Sequence, residues 1–320
     1  MNFKTTTFNK QTLITFEEER FSVTFSTLGA SFVQIKHNNE ELIYSPIDKN
    51  DMEKPDYYYG KTIGPICNRV EKGTIYLNGK AYFLHINESP NALHGGTDGI
   101  SHKYFDYEIN EEENSVTFTY HKKAYEDGLP GNVIYIVKYV VKHMEIQLFY
   151  DVTSDEETVI SLTNHVYFCL KDKDVTKFFF KGNFDKYVVP GKDDLLPKEI
   201  RKIPYYLDFT NKFSLGKYLY LKDLQNQRAK GYDFDLIFKK ESENHTVILE
   251  DSAYELTINS DYESVQIYTD NYENPYPFKD IKLNKYGSIS IEPCDITLNR
   301  PVLHKGEHYI RKITYTIKEK

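Results

Sequence analysis

The feature that most constrains this chain is a long period-two alternation in its middle. From Asn132 to Val141, Val133, Tyr135, Val137, Tyr139 and Val141 fall on one side, with Ile134, Ile136, Lys138 and Val140 on the other. After a short break Met144, Ile146, Leu148 and Tyr150 take one side and Glu145 and Gln147 the other. A helix cannot gather residues of period two onto one face, whereas a strand must. The pattern recurs: Val116, Phe118 and Tyr120 alternate with threonines, and so do Ile313, Tyr315 and Ile317. Turn signals separate the runs, at Asn78-Gly79, Glu111-Glu112-Glu113-Asn114, Asp127-Gly128 and Asn274-Pro275-Tyr276-Pro277. Many short strands so punctuated predict an all-β protein, an antiparallel sandwich or barrel.

Composition agrees. The 28 Tyr and 20 Phe, with no Trp, suit pleated half-buried surfaces better than helices. No helical stretch of convincing length is present, and no repeat, low-complexity tract or linker divides the 320 residues, so a single β domain over 1–320 is expected. The net charge of −8, with Lys and Arg scattered, provides no footprint for nucleic acid. No apolar run approaches the roughly 18 residues of a membrane span, and residues 1–7 lack an apolar leader. Three distant cysteines, Cys67, Cys169 and Cys294, make neither a disulfide framework nor a metal pair. The expectation is a soluble, cytoplasmic protein, and the sequons at Asn87 and Asn244 are read as chance.

Several polar residues sit in contexts that invite chemistry. His304-Lys305-Gly306-Glu307-His308 matches an H-x-x-E-H zinc pattern, but that chemistry needs a helix, and Pro301 and Gly306 argue for a surface loop. The thiols have no sequence neighbour that would activate them and read as small buried hydrophobes. Three others stand out. His94 precedes Gly95-Gly96, where backbone can approach a ligand; His165 lies inside the aromatic run Val166-Tyr167-Phe168; Glu292 ends the apolar run Ser290-Ile291 before Pro293. Spacing alone does not show that these converge, and each also fits a structural or solvated role.

Longer motifs add to that reading. Ile63-Gly64-Pro65-Ile66-Cys67-Asn68-Arg69-Val70 resembles the G-R-x-x-N-R-I signature of the aldose 1-epimerase family. Gly73 to Lys80, followed by Asn87 to Gly96, resembles its G-x-x-x-x-x-G-K and N-x-x-x-N-x-L-H-G-G block. Asp127-Gly128-Leu129-Pro130-Gly131-Asn132 resembles its D-G-x-P-G-N turn, and Asn164-His165-Val166-Tyr167-Phe168 its N-H-x-Y-F box. Gly231-Tyr232-Asp233, Val265-Gln266-Ile267-Tyr268-Thr269 and Ile291-Glu292-Pro293 complete seven matches in family order, over roughly residues 60–295.

The resemblance implies a large antiparallel β-sandwich of the mutarotase type with an open cleft, and a free aldohexose as substrate. It implies that Glu292 is the base that takes the anomeric proton and His165 the acid that protonates the ring oxygen. It further implies that His94, Asn68, Arg69, Asp233 and Gln266 hold the sugar and its reacting oxygens. No metal and no cofactor are implied, because no redox or phosphoryl step occurs. Opening a hemiacetal requires one proton removed and one supplied, each positioned group contributing about 10²–10⁴-fold. Pro65 replaces the first arginine of the signature, Cys169 stands where Asn often ends the N-H-x-Y-F-N box, Cys294 follows Pro293 where Gln is common, and Tyr104-Phe105 replace a tryptophan. These departures surround the cleft and bear on which sugar is preferred. Alternatives within the same fold are a hexose 6-phosphate or linked-sugar epimerase, which would need converging cations, and a binding protein without turnover.

Overall fold

A computed structural model describes residues 1–240, 245–273, 275–276 and 285–320. Asn244, Asn274 and Pro277, named above in a sequon and a turn signal, lie outside the described residues.

The alternating segments form strands where the period demands. Val133–Lys142 and Glu145–Ser154 pair antiparallel, Tyr139 opposite Leu148 and Tyr135 opposite Val152. Val133, Tyr135, Val137, Tyr139 and Val141 are all buried, as are Ile146, Leu148 and Tyr150. Met144 belongs to the turn instead of the strand, because His143 takes a positive φ of 52° to reverse the chain there. These two strands are central to a nine-stranded antiparallel sheet, and His308–Glu319 continues it beside Glu145–Ser154. Helix is confined to short pieces such as Gly216–Leu219 and Lys222–Gln225.

Two further sheets lie against this one. A five-stranded sheet runs in sequence order from Asn2–Phe8 to Glu40–Glu41. Its Phe25 ring stacks on Tyr139 at 4.3 Å between centroids, and the Tyr139 hydroxyl donates to the Ala30 carbonyl at 2.8 Å. A six-stranded sheet has the order Tyr167–Phe168, Ile289–Cys294, Ser264–Tyr268, Asp233–Phe238, Phe184–Pro190, Pro197–Lys202. Its inner face carries Phe234, Leu236, Val265, Ile267, Ile289 and Ile291, in one apolar cluster with Tyr150, Ile313 and Tyr315 of the large sheet. Phe168 meets Tyr315 across the layers at 5.9 Å. The result is a large antiparallel sandwich, as the resemblance predicts; it is one of the two forms, sandwich or barrel, that the alternation leaves open.

Because side chains alternate, the residues between these apolar positions face the other way. On the six-stranded sheet they are Asp233, Asp235, Gln266, Tyr268, Ser290 and Glu292. Each burial of Val or Ile beneath therefore lifts a polar side chain into a cleft on the opposite face.

Candidate active site

Register brings the distant motifs together. Asp235 pairs with Gln266, and Gln266 with Glu292; in the next row Asp233 pairs with Tyr268, Tyr268 with Ser290, and Ser290 with Tyr167. Extending that pairing by two residues sets His165 beside Glu292. His165 lies between two short strands, Thr163–Asn164 and Tyr167–Phe168, and its backbone is clamped: its N–H donates to the Lys61 carbonyl and its carbonyl accepts from Gly60. Asn164, the motif's preceding residue, is fully buried and donates to the Gly60 carbonyl at 3.1 Å. It fixes the loop and does not face the cleft.

His165 Nε2 lies 3.4 Å from Glu292 Oε1, and its Nδ1 lies 3.2 Å from the Ser290 hydroxyl. The imidazole stacks on Tyr167 at 5.0 Å and, more loosely, on Tyr58 at 6.5 Å; its edge meets His94 at 5.0 Å. The two tyrosine faces favour a cation between them. Burial opposes one: it pushes His165 down to about 3, and it raises Glu292 well above the ordinary carboxyl range. Both shifts have the same cause: burial favours the uncharged form of each member of the pair.

His94 is presented by a tightly coiled segment. His94, Gly95 and Gly96 all take positive φ, and a side chain on Gly95 would lie 2.3 Å from the Gly64 carbonyl oxygen. That close approach accounts for the double glycine. The Asn68 backbone N–H donates to His94 Nδ1 at 3.3 Å, which places the ring's own proton on Nε2. Burial first, then the neighbouring His165 and Arg69, hold His94 well below its usual range, so it is a neutral donor.

Arg69 departs from the simple picture of a free fork. Its Nε and Nη2 both donate to Glu88, at 2.7 and 3.0 Å, and Arg228 reaches the same carboxylate at 3.0 Å. Gln266 Nε2 donates to Asp233 Oδ1. Burial raises Asp233, with Arg69 opposing the shift. All seven residues expected from the sequence, His165, Glu292, His94, Asn68, Arg69, Asp233 and Gln266, line one cleft of about 310 Å³.

The sequence reading missed Tyr58, Glu88, Arg228, Tyr268 and Tyr272, which line the same cleft. Glu88 stood inside a recognised block, and its neighbour Asn87 was read as a chance sequon. Asn87 donates to the Tyr58 hydroxyl and to the Leu93 carbonyl, so that segment holds the cleft wall. Tyr58 and Arg228 come from loops without a motif and carry no signal that would have found them.

The departures lie close by. Cys67 and Cys294 are buried together with Ile63 and Tyr58, and Cys169 is buried with Tyr44 and Tyr167. Phe105 is in the core, while Tyr104 donates to Glu53. His304 and His308 are elsewhere, each against its own surface carboxylate, Glu157 and Asp151. Among the described residues no group of three or more His, Cys, Asp or Glu is arranged to hold a metal ion, and no helix is long and apolar enough to cross a membrane.

The model of the family described as Aldose 1-epimerase matches residues 12–316. The chain is 30% identical to human galactose mutarotase over 223 residues, covering 67% of this chain and 63% of that protein. It is 28% identical to the aldose 1-epimerase of Haemophilus influenzae over 275 residues, 81% and 79% of the two chains. Against the mammalian relatives it thus spans less than two thirds of their length, 54% for the Pongo abelii protein. Among solved structures, the GalM/aldose epimerase homologue of C. elegans superimposes with a TM-score of 0.85 at 25% identity, covering 94% and 97% of the two chains. Galactose 1-epimerase of Lactobacillus acidophilus superimposes at 0.88, with 21% identity and 99% and 98% coverage. With the family model matched over nearly the full sequence and the same sandwich beneath it, this chain belongs to the aldose 1-epimerase family.

Proposed function

We propose that this protein, one β-sandwich domain over residues 1–320, interconverts the α and β anomers of a free aldohexose by opening and reclosing the ring. The observation that carries the reading is the buried His165–Glu292 pair, 3.4 Å apart in the cleft.

With sugar in the cleft the working form is Glu292 carboxylate and His165 imidazolium. Their attraction at this separation is ~5 kcal/mol for an effective dielectric of about 20, and the Tyr58 and Tyr167 faces add to it. Glu292 takes the proton of the C1 hydroxyl while His165 gives its proton to the ring oxygen; the C1–O5 bond breaks and a C1 carbonyl forms. The pair is now neutral, the state that burial favours. Rotation about C1–C2 exposes the other carbonyl face, and the two transfers run in reverse. The proton passes through the substrate twice, and no exchange with water is required. His94 donates from Nε2 to the oxygen that gains charge, while Asn68, Arg69, Asp233 and Gln266 orient the hydroxyls. This chemistry needs no cofactor.

The cations of the cleft do not favour a phosphorylated sugar, since Arg69 and Arg228 both engage Glu88. Three buried free thiols fit a reducing compartment, and we assign the protein to the cytoplasm. Polarimetry of freshly dissolved α-glucose and α-galactose tests the activity. Micromolar protein should speed equilibration well above the buffer rate, and a rate equal to buffer on both sugars would refute it.

A further inference from the structure

A side cavity opens beside the cleft, next to Asp233 and Gln266, and its far end at Asp235 takes no part in the proposed chemistry. Its further polar lining is Asn68, Arg69, Asp235 and Thr297; its apolar wall is Val188, Pro190, Leu195 and Pro197, from the hairpin at the sheet edge. Asp235 is only 4% exposed. Its Oδ2 accepts from the backbone and hydroxyl of Thr297, at 3.0 and 2.8 Å, but Oδ1 has no hydrogen-bond partner among the described residues. Ser264 lies near it, yet donates its hydroxyl proton to the Cys294 carbonyl. Asn68 Nδ2 is likewise a buried donor without a partner. An unmatched acceptor, an unmatched donor and an apolar wall thus surround one small space. Leaving such groups unpaired costs about 1–3 kcal/mol each.

The register of the sheet tells which part of a sugar arrives there. Across the face the order is His165, Glu292, Gln266, Asp235. If His165 serves the ring oxygen and Glu292 the C1 hydroxyl, the next atom along that row is the substituent on C2. It points past Gln266 toward Asp235. The cavity has a volume of about 30 Å³, and roughly 10–15 Å³ seats one water-sized group. A C2 hydroxyl would leave this space unfilled, whereas two or three further non-hydrogen atoms would occupy it. A phosphate would face Asp233 and Asp235, and the cation in the lining, Arg69, is engaged by Glu88.

We propose that the cleft accepts aldoses carrying an acylamino group at C2, with the acyl group seated in this side cavity. The amide N–H donates to Asp235 Oδ1, the amide carbonyl accepts from Asn68 Nδ2, and the methyl packs on Val188, Pro190, Leu195 and Pro197. The proposal rests on the anomer-interconverting reading of the same site and names its substrate class.

The test is anomer exchange followed by NMR on glucose and on N-acetylglucosamine, with the natural protein, Asp235→Ala and Val188→Leu. Both sugars should exchange faster than in buffer. In each variant the N-acetylglucosamine rate should fall by at least about tenfold more than the glucose rate, the usual scale for losing a hydrogen bond or filling a pocket by one methylene. Val188→Leu keeps the test sound if Asp235→Ala fails to fold, since Asp235 also holds Thr297. Exchange of glucose with N-acetylglucosamine left at the buffer rate overturns the proposal and leaves the function standing. A rate ratio unmoved in Val188→Leu removes the cavity from the acyl role and overturns it as well. No acceleration of either sugar defeats both readings together.

Discussion

Two histidine–carboxylate pairs in this molecule look alike in composition and behave oppositely. At the surface, His304 Nδ1 lies 2.5 Å from Glu157, the two side chains 57% and 27% exposed. In the cleft, His165 Nε2 lies 3.4 Å from Glu292, the two 7% and 2% exposed. Contact with Glu157 raises His304 above its usual range, because water still solvates the charged form. Burial lowers His165 to about 3, although a carboxylate is present there too. Burial, more than the presence of a partner, therefore decides which pair can pass its proton to a substrate.

The strongest way to break this comparison is to remove either member of the cleft pair. His165→Asn and Glu292→Gln should each lower kcat by about 10³-fold or more. The double variant should be little worse than either single one, because the two act as a unit; polarimetry gives all three rates. Full activity in either single variant would remove that residue from its role.

A smaller effect is expected at the rim, where Glu88 holds both arginines. Glu88→Ala should raise KM about tenfold with a lesser change in kcat, since it frees Arg69 to reorient without touching the proton pair. A pure kcat effect would instead place Glu88 in the chemistry.

The pH dependence sharpens the contrast further. With His165 lowered and Glu292 raised, the pair holds one proton from about pH 3 up to the raised value of Glu292. Below that window it gains a second proton and above it loses its only one. kcat/KM should therefore change little from about pH 3 until Glu292 begins to lose its proton, with no inflection from His165 in the ordinary imidazole range. NMR should find His304 protonating at a pH above the usual imidazole value and His165 remaining neutral there in the sugar-free protein. Protonation of His165 near pH 6.5 would contradict the burial argument. The smallest effect is at the surface: His304→Asn should leave the rate unchanged, since that ring lies outside the cleft.

Much of the scaffold was legible because strand alternation is a local property. The positions Val133 to Val141 and Ile313 to Ile317 are buried every second residue, as their spacing requires. Where a turn intervenes the signal blurs: Met144, expected in the strand, lies one residue before its start at Glu145. The candidate site was readable as residues but not as an arrangement. Each of the seven expected positions lies in a motif, whereas Tyr58 and Arg228 lie in loops with no periodicity. Arg69 shows the same limit: its place in the cleft was expected, but its commitment to Glu88 depends on a turn from Glu88 to Asn91 and on the strand Ala92–Leu93 beyond it, which pairs with Arg69–Val70.

By itself, the sequence determined the period-two pattern, and with it which side chains go inward and which stand on the opposite face. That follows from the pleat and from the removal of apolar groups from water, both acting over a few residues. Only the tertiary structure decided which strands lie side by side, since pairing joins segments far apart along the chain. The register of Asp235, Gln266 and Glu292 places an orphan carboxylate two strands from the proposed base. Burial there, which no local stretch of sequence states, lowers His165 and raises Glu292, so that an ordinary histidine and glutamate become a pair in which each favours its uncharged form.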